Sequence, residues 1–211
     1  MGRKTSPRAG NSGVGACSWP KNDPLMLRYH DKEWGKPIYS DKKIFEFLVL
    51  ESAQAGLSWL TILRKRGGYR RAFTRYEPRL VARFGKRDIV RLLKNPNIIR
   101  NKLKIEATIN NAKRFLEVQK EFGTFSKYMW SFVGGRPIDG KRKSLEDLPA
   151  ITKESETFAR DLKQRGFKFL GPTVVYAHMQ AVGMVNDHIK SCFRYKELKK
   201  YIIKNWIPQT P

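Results

Sequence analysis

Asp88-Ile-Val-Arg-Leu-Leu-Lys-Asn95-Pro96-Asn97-Ile-Ile-Arg100-Asn-Lys102-Leu-Lys104 is the stretch on which the fold turns. Apolar residues recur at helical spacing on both sides of Asn95-Pro96-Asn97, over Asp88–Lys94 and over Ile98–Phe115. A joint of this length admits only a helical hairpin. Such a hairpin aims backbone N–H groups of a helix N-terminus at an anion, and with Arg100, Lys102 and Lys104 beside it a DNA phosphate is the natural one. An ordinary helix-turn-helix inside a core has the same local pattern.

Outward from the hairpin the periodicity stays helical. Asp41–Gln54 carries Ile44, Phe45, Leu48 and Val49 on one face, with Ser40 placed to cap, and Pro78 sits as a first-turn proline ahead of Leu80, Val81 and Phe84. Phe125–Phe132 and Thr157–Gln164 repeat the pattern. Val174–Val185 is apolar apart from His178 and Gln180, as a buried central helix would be. Gly134, Gly135, Pro137, Asp139 and Gly140 mark an exposed loop, and no segment alternates like a strand. The expected fold class is all-α.

With 211 residues, 40% of them apolar, one full core is within reach, and no apolar run approaches a membrane span. A net charge of +24 calls for a polyanion. Fifteen Lys or Arg fall between Leu60 and Lys104, among them Arg64, Lys65, Arg66, Arg70, Arg71 and Arg75, against only Glu77 and Asp88. As a group they favour nucleic acid; singly, each fits a solvated helix surface better. Arg3–Arg8 and Arg194–Lys204 read as basic ends that add non-specific affinity.

Only two cysteines and three histidines are present, and four of the five form two tight groups: Cys17 with His30, and His188 with Cys192. The i, i+4 spacing of the second pair fits one face of a helix, and together the four make a Cys2His2 set that fills tetrahedral zinc and leaves no open position. Buried thiols or a disulfide remain alternatives, although the polar segment after Met1 lacks the apolar core of a secretory signal.

Glu51-Ser-Ala-Gln-Ala-Gly56-Leu57-Ser-Trp59 is the third informative stretch. A carboxylate late in an apolar helix is costly unless it meets a partner. Gly56 and Leu57 give bare backbone and a small apolar wedge, and Trp59 a stacking face. Carboxylate, wedge and aromatic wall, with Trp19, Tyr29 and Trp34 as further wall, are what base flipping requires. For Trp34 a plain core role fits better.

These motifs assemble into a known pattern: Cys17-Ser-Trp19, Tyr29-His-Asp-Lys-Glu-Trp-Gly35, Gln54-Ala-Gly-Leu-Ser-Trp59, Ile98-Ile-Arg100, Trp130-Ser-Phe132, Arg165-Gly-Phe-Lys-Phe169 and Met179-Gln-Ala-Val-Gly-Met-Val-Asn-Asp-His188. The chain resembles the DNA-3-methyladenine glycosylase I family, the zinc-containing branch of the helix-hairpin-helix glycosylases, from about Cys17 to Cys192. The resemblance implies one structural zinc on Cys17, His30, His188 and Cys192. It implies that Glu51 reads the edge of a flipped 3-methyladenine and serves as the catalytic carboxylate, that Tyr29 and Trp59 sandwich the ring, and that Trp19 lines the pocket. Gly56 and Leu57 look like the part entering the stack, with Arg100 and Lys102 on the backbone. Asp187 looks like an orienting residue.

The implied reaction is monofunctional hydrolysis of the N-glycosidic bond in alkylated double-stranded DNA, leaving an abasic site. No aspartate lies between Gly166 and Gly183 to stabilise a sugar cation, which suits a self-activated cationic lesion. Two departures stand out. Pro96-Asn97 replaces the usual hairpin glycine, and His178 sits where relatives often carry a bulky apolar residue.

The expected organisation is a basic N-terminal tail (1–14), a single domain (15–193, hairpin about 88–112) and a basic extension (194–211), acting as a monomer. The family's usual setting is the bacterial cytoplasm, at the nucleoid, or a nucleus or organelle in a eukaryote. The competing reading is a zinc-stabilised, non-catalytic DNA-binding protein, which has no use for Glu51 and its aromatic neighbours.

Overall fold

The hairpin stretch folds as two helices, with a longer joint than its spacing suggests. A computed structural model describes residues 17–205, so the expected tail at 1–14 and the end of the extension lie outside the described residues. Among these the helices are α1 (Pro24–Lys32), α2 (Asp41–Gln54), α3 (Trp59–Ala72), α4 (Pro78–Val81), α5 (Lys86–Leu93), α6 (Lys102–Phe122), α7 (Phe125–Ser131), α8 (Lys153–Gln164), α9 (Pro172–Ala181) and α10 (Phe193–Asn205). The second hairpin helix therefore starts at Lys102 and not at Ile98.

The reason is local. Asn101 caps α6, its Oδ1 accepting from Lys104 N at 3.1 Å. Before it, Ile98 is buried and Ile99 N donates to the Tyr69 hydroxyl of α3 at 3.2 Å, which holds the backbone out of helix. The turn also rests on α3: Lys65 Nζ donates to Pro96 O at 2.7 Å, and a Cβ on Gly68 would stand 2.1 Å from Asn97 O. Only glycine allows that approach.

The core is built around α2, which packs against α3, α6, α7 and α9. Phe45 and Leu48 of α2 and Phe115 of α6 are buried, and Phe115 stacks on Phe125 of α7 at 4.1 Å between centroids. Ser40 holds the N-cap position of α2 but makes no capping hydrogen bond. The neighbouring Asp41 carboxylate instead accepts from Gln119 Nε2 (2.6 Å) and from the N–H groups of Phe125 and Ser126 (both 2.8 Å). An acid on the free donors of a helix start is favourable. It fastens α7 to α2 and α6.

The apolar Val174–Val185 stretch is buried, but its helix ends at Ala181. Gly183 takes φ +73, and Met184 N donates back to Met179 O at 2.9 Å. Val185–Asn186 (β2) then pairs in parallel with Ile138–Asp139 (β1), a two-residue bridge inside the loop that reads as structureless. At Gly183 the chain also meets the segment after α1, with Gly35 N on Gln180 O (3.1 Å) and Ile38 N on Val182 O (3.0 Å). A Cβ there would lie 2.3 Å from the Lys36 carbonyl carbon. Gly183→Ala combines this overlap with a positive φ and is expected to cost about 2–4 kcal/mol, read as a fall in chemical-denaturation midpoint at unchanged slope.

One segment is strained. Thr74, Arg75 and Tyr76 have φ of 48°, 55° and 59° in succession, a left-handed turn between α3 and α4 made without glycine. Such conformations cost on the order of 1 kcal/mol or more each. Phe73 and Tyr76, both buried, pin the turn from either side.

His178 of α9 is fully buried, and neither ring nitrogen has a partner. Burial drives its pKa down to about 3 from 6.5, so it is neutral in the fold. The unfolded chain takes up a proton below 6.5 that the native state refuses, so stability is lost as pH falls from 6.5 toward 3, by about 1.4 kcal/mol per unit. His178→Leu is expected to stabilise by about 1–3 kcal/mol at neutral pH by removing an unpaired buried polar group, and to flatten the acid limb of the stability curve. Equal acid slopes for the two proteins would contradict this.

Candidate active site and metal centre

Glu51 reaches its place because α2 is apolar nearly all round, so the last turn carries the carboxylate inside with the rest. The residue is 4% exposed, and no hydrogen-bond donor among the described residues meets it. Burial alone pushes its carboxyl up to about 8. It borders a cavity of about 230 Å³ with Trp19, Tyr29, Trp34, Trp59 and, from α9, Gln180. Buried beside Glu51, the Tyr29 phenol is held well above its ordinary pKa, first by desolvation and then by the Glu51 charge.

The aromatic wall is in mutual contact. Tyr29 and Trp59 lie 5.2 Å apart at 53°, and Trp19 meets Trp34 edge-on at 5.2 Å. A ring held flat between two others needs them about 7 Å apart, two carbon contact distances, so Tyr29 and Trp59 would have to part for the expected sandwich. The indole N–H groups of Trp19 and Trp59 are buried with no acceptor. Trp34 is both core and wall: it is 9% exposed, faces the cavity and packs on His30 and His188.

Gly56 and Leu57 form the short link between α2 and α3 at the cavity's side. Gly56 has φ +77 with open space around it, and Leu57 is 39% exposed. Lys104 stands behind them, its Nζ donating to the carbonyls of Ala53 (2.9 Å) and Ala55 (2.6 Å). It satisfies the end of α2 and is not free for a phosphate. Arg100 and Lys102 are exposed, Lys102 with only a loose pair to Glu106 at 3.9 Å. Arg66 also leaves the phosphate-facing group: its side chain is 19% exposed and bonds Glu33 (2.9 and 2.7 Å) and Glu46 (2.7 Å).

Cys17, His30, His188 and Cys192 are all buried, with their ligand atoms within 4.8 Å of one another. Cys192 Sγ lies 3.6 Å from His30 Nε2 and 3.7 Å from His188 Nδ1, and Cys17 Sγ 3.8 Å from His188 Nδ1. Bond lengths of about 2.0–2.3 Å to a tetrahedral zinc put donor atoms roughly 3.3–3.8 Å apart, which these three contacts match, and the donor types are those of a closed zinc site. The outer nitrogens are held as well, His30 Nδ1 by Asp31 (2.7 Å) and His188 Nε2 by the Trp34 carbonyl (3.1 Å). The helix expected over His188–Cys192 is absent. A turn closed by Cys192 N on Ile189 O (2.8 Å) brings the pair together, and α10 begins only at Phe193.

Sequence spacing gives no sign of one supporting network. Asp187, fully buried, accepts from Arg142 Nε and Gln180 Nε2 (both 2.9 Å) and from the Tyr176 hydroxyl. It thereby orients Gln180, a cavity residue. Buried polar position was the only available signal for Gln180, since local pattern places it on an apolar helix.

A family model for methyladenine glycosylase matches residues 19–195. DNA-3-methyladenine glycosylase 1 of Escherichia coli (strain K12) is 43% identical over 179 residues, 85% of this chain and 96% of its own. The Haemophilus influenzae DNA-3-methyladenine glycosylase is 42% identical over 176 residues, 83% and 95%. Among solved structures, one of 3-methyladenine recognition by the Staphylococcus aureus 3-methyladenine DNA glycosylase I aligns with a TM-score of 0.83 at 42% identity, covering 85% of this chain and 95% of that one.

Proposed function

This chain belongs to the methyladenine glycosylase family, and on that premise we propose that it hydrolyses the N-glycosidic bond of 3-methyladenine in double-stranded DNA, leaving an abasic site, as a step of base-excision repair. The observation that carries the reading is Glu51: a buried carboxylate with no protein partner, walled by aromatic rings. A merely structural acid would be paired. Against a cationic base it gains the partner it lacks.

Glu51 accepts a charge-assisted hydrogen bond from the methylated base, with Trp19, Tyr29 and Trp59 stacking on or bordering the ring. Stacking contributes about 1–3 kcal/mol per base, which offsets much of the cost of flipping. Gly56 and Leu57 enter the vacated stack, and Arg100 and Lys102 hold the backbone beside the hairpin. The methyl group has already given the base its positive charge. As the C1′–N bond breaks, its electron pair neutralises the base, water bonds to C1′, and the water's proton is lost to solvent.

Zinc on Cys17, His30, His188 and Cys192 would supply no chemistry, because all four positions are taken. It would tie the segment bearing Trp19 and Tyr29 to the turn after β2. A single-domain monomer working in a bacterial cytoplasm, with basic ends at 1–14 and 194–211, is the accompanying proposal; no described helix is long and apolar enough to cross a membrane.

The test is incubation with methylated duplex DNA and chromatography of the released bases. Free 3-methyladenine is expected, and no release by the wild type would overturn the enzyme reading in favour of a DNA-binding protein.

A further inference from the structure

We propose that the outer end of α3, the left-handed turn and α4 form a second site for the phosphate backbone of duplex DNA, distinct from the lesion cavity. Arg70, Arg71, Thr74 and Arg75 line a depression of about 450 Å³. Four residues on, Arg79 and Arg83 of the α4 region share a groove of about 520 Å³ with Lys120 of α6. All six cations are exposed, and among the described residues none has an acidic partner. By contrast Arg64, Lys65, Arg66 and Lys104 of the same basic stretch are engaged within the protein. The one acid within the patch, Glu77, points to Lys42 at 3.9 Å.

An independent observation points to a ligand. Thr74 Oγ1 is buried without a hydrogen-bond partner, and Thr74 lines the depression together with Arg70, Arg71 and Arg75. An orphan hydroxyl is uncommon in a settled structure and suits an acceptor arriving from outside. Guanidinium forks together with a hydroxyl donor are phosphate chemistry.

The patch starts beside the hairpin turn, which rests on Gly68 and Tyr69 of α3, and runs away from it. Its far end is distant: Lys102 and Lys120 are at opposite ends of α6, about 27 Å apart at helical rise, and Lys104 anchors the first end beside the wedge residues. That distance corresponds to roughly eight phosphates of one strand. The inference rests on the proposed DNA-directed function for the identity of the polyanion.

The experiment counts undamaged six-base-pair duplexes, closed by a hairpin loop and, at about 20 Å, too short to span roughly 27 Å, bound per protein at low salt for the wild type and for R71A/R75A/R79A. Two per wild-type chain and one per triple variant are expected. Alongside, the log–log salt dependence of binding should become shallower by about 0.9 for each arginine that contacts a phosphate, about 2.7 in the triple variant. Arg79→Ala alone, a single exposed change, should lose about 0.9 and guards against a folding defect, as does an unchanged melting curve. The excision rate at saturating methylated duplex should stay at the wild-type level. One duplex per wild-type chain, or two per triple variant, overturns the proposal. So does a parallel loss of excision, which would merge the patch with the lesion site, or loss of poly-glutamate binding with duplex stoichiometry intact, which would make it a face for an acidic protein. A wild type that excises nothing but still binds two duplexes sinks the enzymatic reading and leaves this one standing.

Discussion

Cys17→Ser, or removal of the metal by a chelator, is expected to lower the unfolding midpoint further than any other single change considered. Zinc bound by such a set supplies roughly 10–16 kcal/mol to the folded state, and losing one thiolate forfeits a large part of it. Two clusters of sequence would then separate. Cys17 precedes Trp19 and Tyr29, and the Trp34 carbonyl bonds His188, so the whole segment from Cys17 to Gly35 rests on the cluster. Activity should fall in proportion to the folded fraction, and any folded remainder should show weakened base binding, because Trp19 and Tyr29 lose their seat. Thermal melts with and without added zinc check the first point. Methylated-base affinity at a temperature where the variant is folded checks the second. An unchanged melt would remove the metal from the account.

Glu51→Gln is the second large effect, and it pulls stability and activity in opposite directions. A folded acid that keeps its proton up to about 8, against an ordinary 4.5, leaves the native state binding more protons than the unfolded chain between those values. Stability therefore falls as pH rises from 4.5 toward 8 and levels off above. Glutamine has no proton to lose, so the variant should be more stable by about 3 kcal/mol at pH 7, with a flat profile across that window. Excision should drop on the order of 10- to 100-fold, the value of one charge-assisted hydrogen bond. Because the wild-type carboxyl must ionise to meet a cationic base, its excision rate should climb with pH up to about 8, and the variant's should not. A variant that is both less stable and fully active would show that Glu51 is a structural residue.

The two candidate centres were legible from composition and short spacing. Four rare metal-ligating residues in two pairs are informative without any fold, because coordination needs residue types more than geometry. Glu51 in an apolar helix is informative for the same reason, since burial of a carboxylate is expensive wherever it occurs. What stayed hidden depends on contacts across the chain. The helix start at Lys102 is set by the neighbouring Asn101 cap together with the Tyr69 hydroxyl, which is remote in sequence, and the turn before it leans on the equally remote Gly68. The turn at His188–Cys192 mimics a helical spacing, and i, i+4 alone cannot tell one from the other. Arg66 and Lys104 looked like phosphate ligands because charge density says nothing of direction; each proved to be spent inside the protein. His178 was flagged by its residue type, and its cost appears only once both ring nitrogens are seen to be unpartnered.

The Cys2His2 cluster closes the chain almost end to end: Cys17 meets His188 across 171 positions and His30 meets Cys192 across 162. On a ribosome, the first of these residues must wait for the last. The segment carrying Trp19 and Tyr29 can dock on α3 once that helix has emerged, through Tyr29 on Trp59 and Glu33 on Arg66, but the four-residue cluster closes only after His188 and Cys192 have left the exit tunnel. The Trp19 and Tyr29 side of the cavity is thus among the last parts of the molecule to be fixed during synthesis. A chain truncated just before residue 188 would be a largely helical, basic protein holding only the Cys17 and His30 half of the cluster.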